Sequence, residues 1–210
     1  MCNDDEYKVL TGAWIDALGT IISAIAEIRS LAGMNEINNK LVAIGEGLQA
    51  VGSFVIAIAP EENSYAFTGN LIDGAGASTS SLAAYLQDVE GENSDNLRLE
   101  ILGDTSQSIG ASIAATGDYI IGEQLFAVGN SIQAFGAGLE AIGGVYELKN
   151  KEEKAQILST LGAISQAIGS NFVALLLTDE FIASNICPKR LGGLEIDLYI
   201  ETTCSPLIPL

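Results

Sequence analysis

GNSIQAFGAGLEAIG, residues 129–143, carries four glycines in fifteen positions, yet its flanks read as helix. Glycine inside a helix costs about 1 kcal/mol relative to alanine, so a helix that keeps so many has a use for them. The same spacing recurs through the chain. Glycines seven apart align six segments without gaps: GAWIDALGTIISAIA (12–26), GEGLQAVGSFVIAIA (45–59), GNLIDGAGASTSSLA (69–83), GDTSQSIGASIAATG (103–117), GNSIQAFGAGLEAIG (129–143) and GAISQAIGSNFVALL (162–176). Positions 1 and 8 of the repeat are Gly12 and Gly19, Gly45 and Gly52, Gly69 and Gly76, Gly103 and Gly110, Gly129 and Gly136, Gly162 and Gly169.

Other columns agree. Position 5 is Asp or Gln throughout: Asp16, Gln49, Asp73, Gln107, Gln133, Gln166. Position 7 is always apolar, through Leu18, Val51, Ala75, Ile109, Phe135 and Ile168, and positions 6 and 13 are always small. Odd copies begin at 12, 69 and 129 and even copies at 45, 103 and 162. The larger unit is therefore a two-helix hairpin of about 59 residues, present three times.

Helix breakers fall between the copies, at Gly33, Pro60, Gly91, Gly122 and the stretch KNKEEK (149–154). The expected fold is all-α: six antiparallel helices as three tandem hairpins, about 4–59, 61–121 and 122–178, forming a repetitive bundle over 1–180. Glycines two turns apart lie on one stripe, so a second backbone can come close along a glycine- and alanine-lined seam. The Asp/Gln column lies beside that stripe. It is expected either to form a polar seam that fixes register between helices or to be a solvated helix edge. Large apolar residues at positions 4, 7, 11 and 14 form a broad stripe of their own. Few charges fall within the repeats and most gather at segment ends.

Residues 181–210 read differently, as an extended C-terminal arm in which LEIDLYIE (194–201) alternates like a β-strand. Cys2, Cys187 and Cys204, the three cysteines, lie outside the repeats and in no zinc-site spacing. Two readings stay open: inert thiols, or disulfides that cross-link subunits or close the tail from Cys187 to Cys204.

Composition narrows function more than it names it. The 210 residues are 48% hydrophobic and 17% charged, with a net charge of −18. That charge disfavours nucleic acid and anionic membrane surfaces. Such an acidic surface can hold divalent cations loosely, and its simpler role is to keep an apolar protein in solution. There is no histidine, so the usual general base and the commonest metal ligand are missing. No catalytic residue, metal or cofactor is expected, and Asp16 and Asp73 are not read as ligands because glutamine replaces them in other copies. GAGAS (74–78) lacks the ending of a phosphate-binding loop, and Trp14, the one tryptophan, reads as a packing anchor. The start of the chain lacks a basic segment before its apolar stretch, so synthesis in the cytoplasm without a signal peptide is expected. The uninterrupted apolar runs are shorter than a bilayer-spanning helix requires.

The strings GAWIDALGTIISAIA and GNSIQAFGAGLEAIG resemble the repeats of an uncharacterised family of short repetitive proteins from spore-forming bacilli. The resemblance covers roughly residues 8–178 and implies helices and repetition, with no activity to carry over. Helix sides so poor in charge suggest neighbours on more than one side. The leading expectation is a non-enzymatic structural protein that self-assembles into a filament, layer or similar homo-oligomer, deposited on a spore or cell surface. The alternatives are a membrane-active helical pore former and a carrier of an apolar ligand between the helices.

Overall fold

Two populations of glycine shape the chain. In the computed structural model, which describes residues 4–59, 64–91 and 93–185, Gly33, Gly91 and Gly122 have φ of 76°, 85° and 94°. Each follows a helix and stops it, because the left-handed conformation is open to a residue without a Cβ. After Gly33 and Gly122 the chain folds back in the usual helix-ending pattern, Met34 N–H donating to Arg29 O and Glu123 N–H to Asp118 O, both at 2.9 Å. Asn150, at φ 53°, serves the same purpose in KNKEEK. The repeat glycines lie inside helices instead.

The described helices are α1 (Asp4–Leu31), α2 (Asn38–Ala57), α3 (Ser64–Glu90), α4 (Ser94–Ile121), α5 (Gln124–Glu147) and α6 (Glu152–Asn185). No strand occurs among the described residues. The start of α4 is capped by Asn93, whose Oδ1 accepts from the backbone N–H groups of Asp95 and Asn96 at 3.0 Å. α6 extends to Asn185, so the arm expected from 181 begins as helix, and Phe181 there stacks edge-on against Tyr7 at 4.7 Å. Cys2, Cys187, Cys204 and the strand-like 194–201 lie outside the described residues.

Each hairpin closes on its glycines. A Cβ on Gly19 would sit 2.5 Å from Gly45 O, and one on Gly52 would sit 2.6 Å from Gly12 O. The pattern repeats between α3 and α4, where Gly76 faces Gly103 O and Gly110 faces Gly69 O at 2.7 Å, and between α5 and α6, where Gly136 faces Gly162 O and Gly169 faces Gly129 O at 2.6 Å. Real Cβ atoms do not tolerate such distances, so any other residue forces the backbones apart.

The hairpins do not stack into a filled bundle. Among the described helices each packs on its chain neighbours and α1 packs on α6, with no backbone packing across the middle. The six helices thus form a closed ring around a lumen. The joints between hairpins use small and hydroxylated residues: Ser81 Oγ donates to Ala43 O at 2.7 Å and Ser108 Oγ to Ala134 O at 2.8 Å. At the closing joint, Ala13, Ala17 and Ala174 are buried together. Trp14 Nε1 donates to Thr178 Oγ1 there at 3.0 Å, and the hydroxyls of Thr20 and Ser170 meet at 2.6 Å.

Candidate functional site

The ring turns the repeat columns to opposite sides. At position 7, Leu18, Val51, Ala75, Ile109, Phe135 and Ile168 are all exposed, Phe135 at 62%. Position 14, through Ile25, Ile58, Leu82, Thr116, Ile142 and Leu175, is exposed in every copy too. The large apolar residues that a water-soluble helix would bury therefore form the outside of the ring. No charged residue is exposed over 9–28, 41–59, 64–87, 99–122, 124–146 or 155–178. Each stretch is about 20 residues or more, or ~30 Å of helix. The Lys and Arg side chains among the described residues all lie near helix ends or in turns. Three of the six helices, α1, α2 and α6, contain segments long and apolar enough to cross a membrane. The runs judged too short in the sequence are embedded in longer helices whose glycines, alanines and serines keep the whole segment apolar.

Position 5 turns inward. Gln107 is fully buried, Gln49, Gln166 and Asp16 nearly so, and Asp73 and Gln133 are half-buried. They are not a solvated edge: each packs beside a glycine of the facing helix, as Gln49 does on Gly19 and Gln107 on Gly76, and turns its polar end inward. They line the lumen, and there they meet acids at other repeat positions. Glu46 accepts from Gln49 Nε2 at 2.7 Å, from Ser23 Oγ at 3.1 Å and, across the ring, from Gln107 Nε2 at 2.9 Å. Asp16 Oδ2 accepts from Gln133 Nε2 at 3.2 Å, again across the ring. Ser53 Oγ donates to Asp73 and Ser80 Oγ to Asp104, each at 2.7 Å. Gln166 donates to Glu140, and Gln156 Nε2 to Glu27 at 2.9 Å.

These donors are neutral. The ion pairs found among the described residues, Lys8–Asp5, Lys40–Asp88 and Arg98–Asp95, lie away from the lumen. A channel lined by one sign of charge and walled by apolar helices concentrates the opposite ion. Among the described residues no three metal-ligating side chains converge on a single point.

Two cavities occupy the lumen. The larger, about 600 Å³, lies where odd helices begin and even helices end, and is lined by Asp16, Ser53, Asn70, Asp73, Asp118 and Gln133 together with apolar residues such as Val9 and Leu177. The smaller, about 30 Å³, lies toward the other end among Ser23, Glu27, Glu46, Ser80, Asp104 and Glu140. Gln49 sits one turn from Glu46 in the small cavity and one turn from Ser53 in the large one. Gln107 is placed in the same way between Asp104 and Ala111. With Gln166 they form a glutamine belt between the two cavities.

The sequence singled out Asp16 and Asp73 but missed Glu27, Glu46, Asp104 and Glu140. These occupy positions 16, 2, 2 and 12, one to three turns from position 5 along the same stripe. Because no single column collects them, the alignment hides them. Projecting every acid of all six copies on one helical wheel would have shown the stripe.

Residues 7–174 match a family described as a family of unknown function (DUF6944). The chain belongs to that family. No curated protein and no solved structure matches it.

Proposed function

We propose that this DUF6944 protein is a membrane-embedded six-helix barrel whose apolar wall faces lipid and whose acidic lumen gives small hydrophilic solutes a polar site or passage. The observation that supports it is the outward turn of positions 7 and 14 in every helix, over a band free of exposed charge and as tall as a bilayer's hydrocarbon core. Helices satisfy their own backbone hydrogen bonds, and glycine seams let them pack where no hydrophobic force drives them together. The carboxylates and amides lining the lumen do not favour an apolar cargo.

The test is flotation of the full chain with phosphatidylcholine liposomes after alkaline carbonate washing. The proposal expects the chain to float and resist extraction, and to release an entrapped small dye if the lumen is open. A chain that stays in the aqueous phase as a monomer contradicts it.

A second reading has its own observation. The outer faces of α3 and α4 carry exposed Thr68, Ser78, Thr105, Ser112 and Thr116, and neither helix has a span as apolar as those in α1, α2 and α6. In a self-assembling structural protein, copies of the chain would cover the wall instead of lipid, and the resemblance to proteins of spore-forming bacilli supports a spore-associated setting. Regular polymers in detergent-free buffer, without flotation, would select this reading.

A further inference from the structure

The larger cavity is lined by Asp16, a side chain with one unsatisfied carboxylate oxygen. Asp16 is 6% exposed. Its Oδ2 accepts from Gln133, while its Oδ1 is buried without a hydrogen-bond partner. Asp73 lines the same cavity and accepts from Ser53, and Asp118 accepts from Asn130 Nδ2 at 2.7 Å. Asp16 lies close enough to feel the charges of Asp73 and Glu46. Three carboxylates thus share one space with neutral donors and no lysine or arginine.

A buried acceptor without a partner is costly, and a charged one more so. A proton on Asp16 would remove one charge and leave Asp73 and Asp118 in the same space without a cationic partner. A divalent ion is poorly matched, since calcium and magnesium need six or more well-placed oxygens and the described acids do not converge that tightly. A singly charged ion asks less. A cavity of about 600 Å³ has room for on the order of 20 waters, enough to keep such an ion partly hydrated.

We propose that the larger cavity binds a monovalent metal cation between the carboxylates of Asp16 and Asp73, with Ser53, Asn70 and Gln133 around its remaining waters. The inference rests on the reading of the lumen as a hydrophilic site and names its ligand. The glutamine belt lies on one side of this cavity.

The experiment is thermal unfolding of the full chain in detergent micelles, in sodium or potassium chloride and in N-methyl-D-glucamine chloride at equal ionic strength. The small cations are expected to raise the midpoint by about 3–6 °C over the bulky one. Asp16→Asn and Asp73→Asn should each abolish that difference, while Glu140→Gln in the other cavity should keep it. Equal midpoints for the wild-type chain, or a difference that persists in both Asn variants, overturn the proposal. Sodium-23 line broadening by the wild-type chain, reversed by excess potassium, reads the site without any substitution, and its absence also overturns the proposal. A chain that floats with liposomes but ignores the cation loses the site alone. A chain that responds to the cation but stays in water loses the lipid-facing wall alone.

Discussion

Along α5, Phe135 points out of the ring while Gln133, two residues earlier, and Glu140, five later, point into it. Two residues apart on a helix is 200°, so the two columns face opposite ways. In a protein made for water the outer column would be charged and the inner one apolar. Here the order is reversed in all six helices. The interior thus has polar hydrogen bonds where a water-soluble core would have aliphatic packing.

The contrast between the two faces can be broken at the outside first. Phe135→Lys or Ile168→Lys places an ammonium at mid-height of the wall. In a bilayer this costs about 2.5–3.5 kcal/mol per site, and unfolding in lipid or recovery in the membrane fraction should register it. In water the same change falls within about 0.5 kcal/mol, so the measurement separates the two surroundings.

On the inside, Gln107→Leu keeps the volume but removes the amide that reaches Glu46 across the ring. Losing the hydrogen bond to the buried Glu46 carboxyl, partly offset by removal of the unpartnered Gln107 Oε1, should lower stability by about 1 kcal/mol, read from denaturant or thermal unfolding. An unchanged midpoint would mean that the glutamine belt contributes nothing to closing the ring.

The seams between the faces come next. Gly19→Ala puts a Cβ 2.5 Å from Gly45 O. Overpacking of about 2 kcal/mol, less about 1 from better helix propensity, leaves a net loss of about 1 kcal/mol. The smallest effect has the opposite sign. At Gly47 a Cβ would meet only Ser81 Oγ at 3.4 Å, so Gly47→Ala should stabilise by about 0.5 kcal/mol. Equal responses at Gly19 and Gly47 would remove the case for glycine as a spacer.

Much of the architecture was legible because glycine leaves two kinds of trace. Gly33 and Gly122 stand where helical spacing stops, and Gly12 with Gly19 stand within it, so hairpin count and pairing follow from spacing alone. Which stripe faces inward does not. Positions 5 and 7 are separated on any helical wheel, but the wheel does not say which one faces outward. Ring closure is equally hidden, since Trp14 and Thr178 are 164 residues apart and neither residue type marks a joint. The interior acids stay out of sight for a third reason. Hairpins one and two hold Glu46 and Asp104 on their even helices, whereas hairpin three holds Glu140 on its odd helix, so the charge is preserved within the hairpin while its position moves.

An indole at position 7 reports directly whether that column faces lipid. The native tryptophan sits at a joint, so Trp14→Phe clears the background and Phe135→Trp places a single indole reporter on the wall. In liposomes made with bromine-labelled phosphatidylcholine, a lipid-facing position 7 gives strong quenching of the reporter's emission and little effect of aqueous iodide. Quenching by iodide with none from the brominated lipid would contradict it.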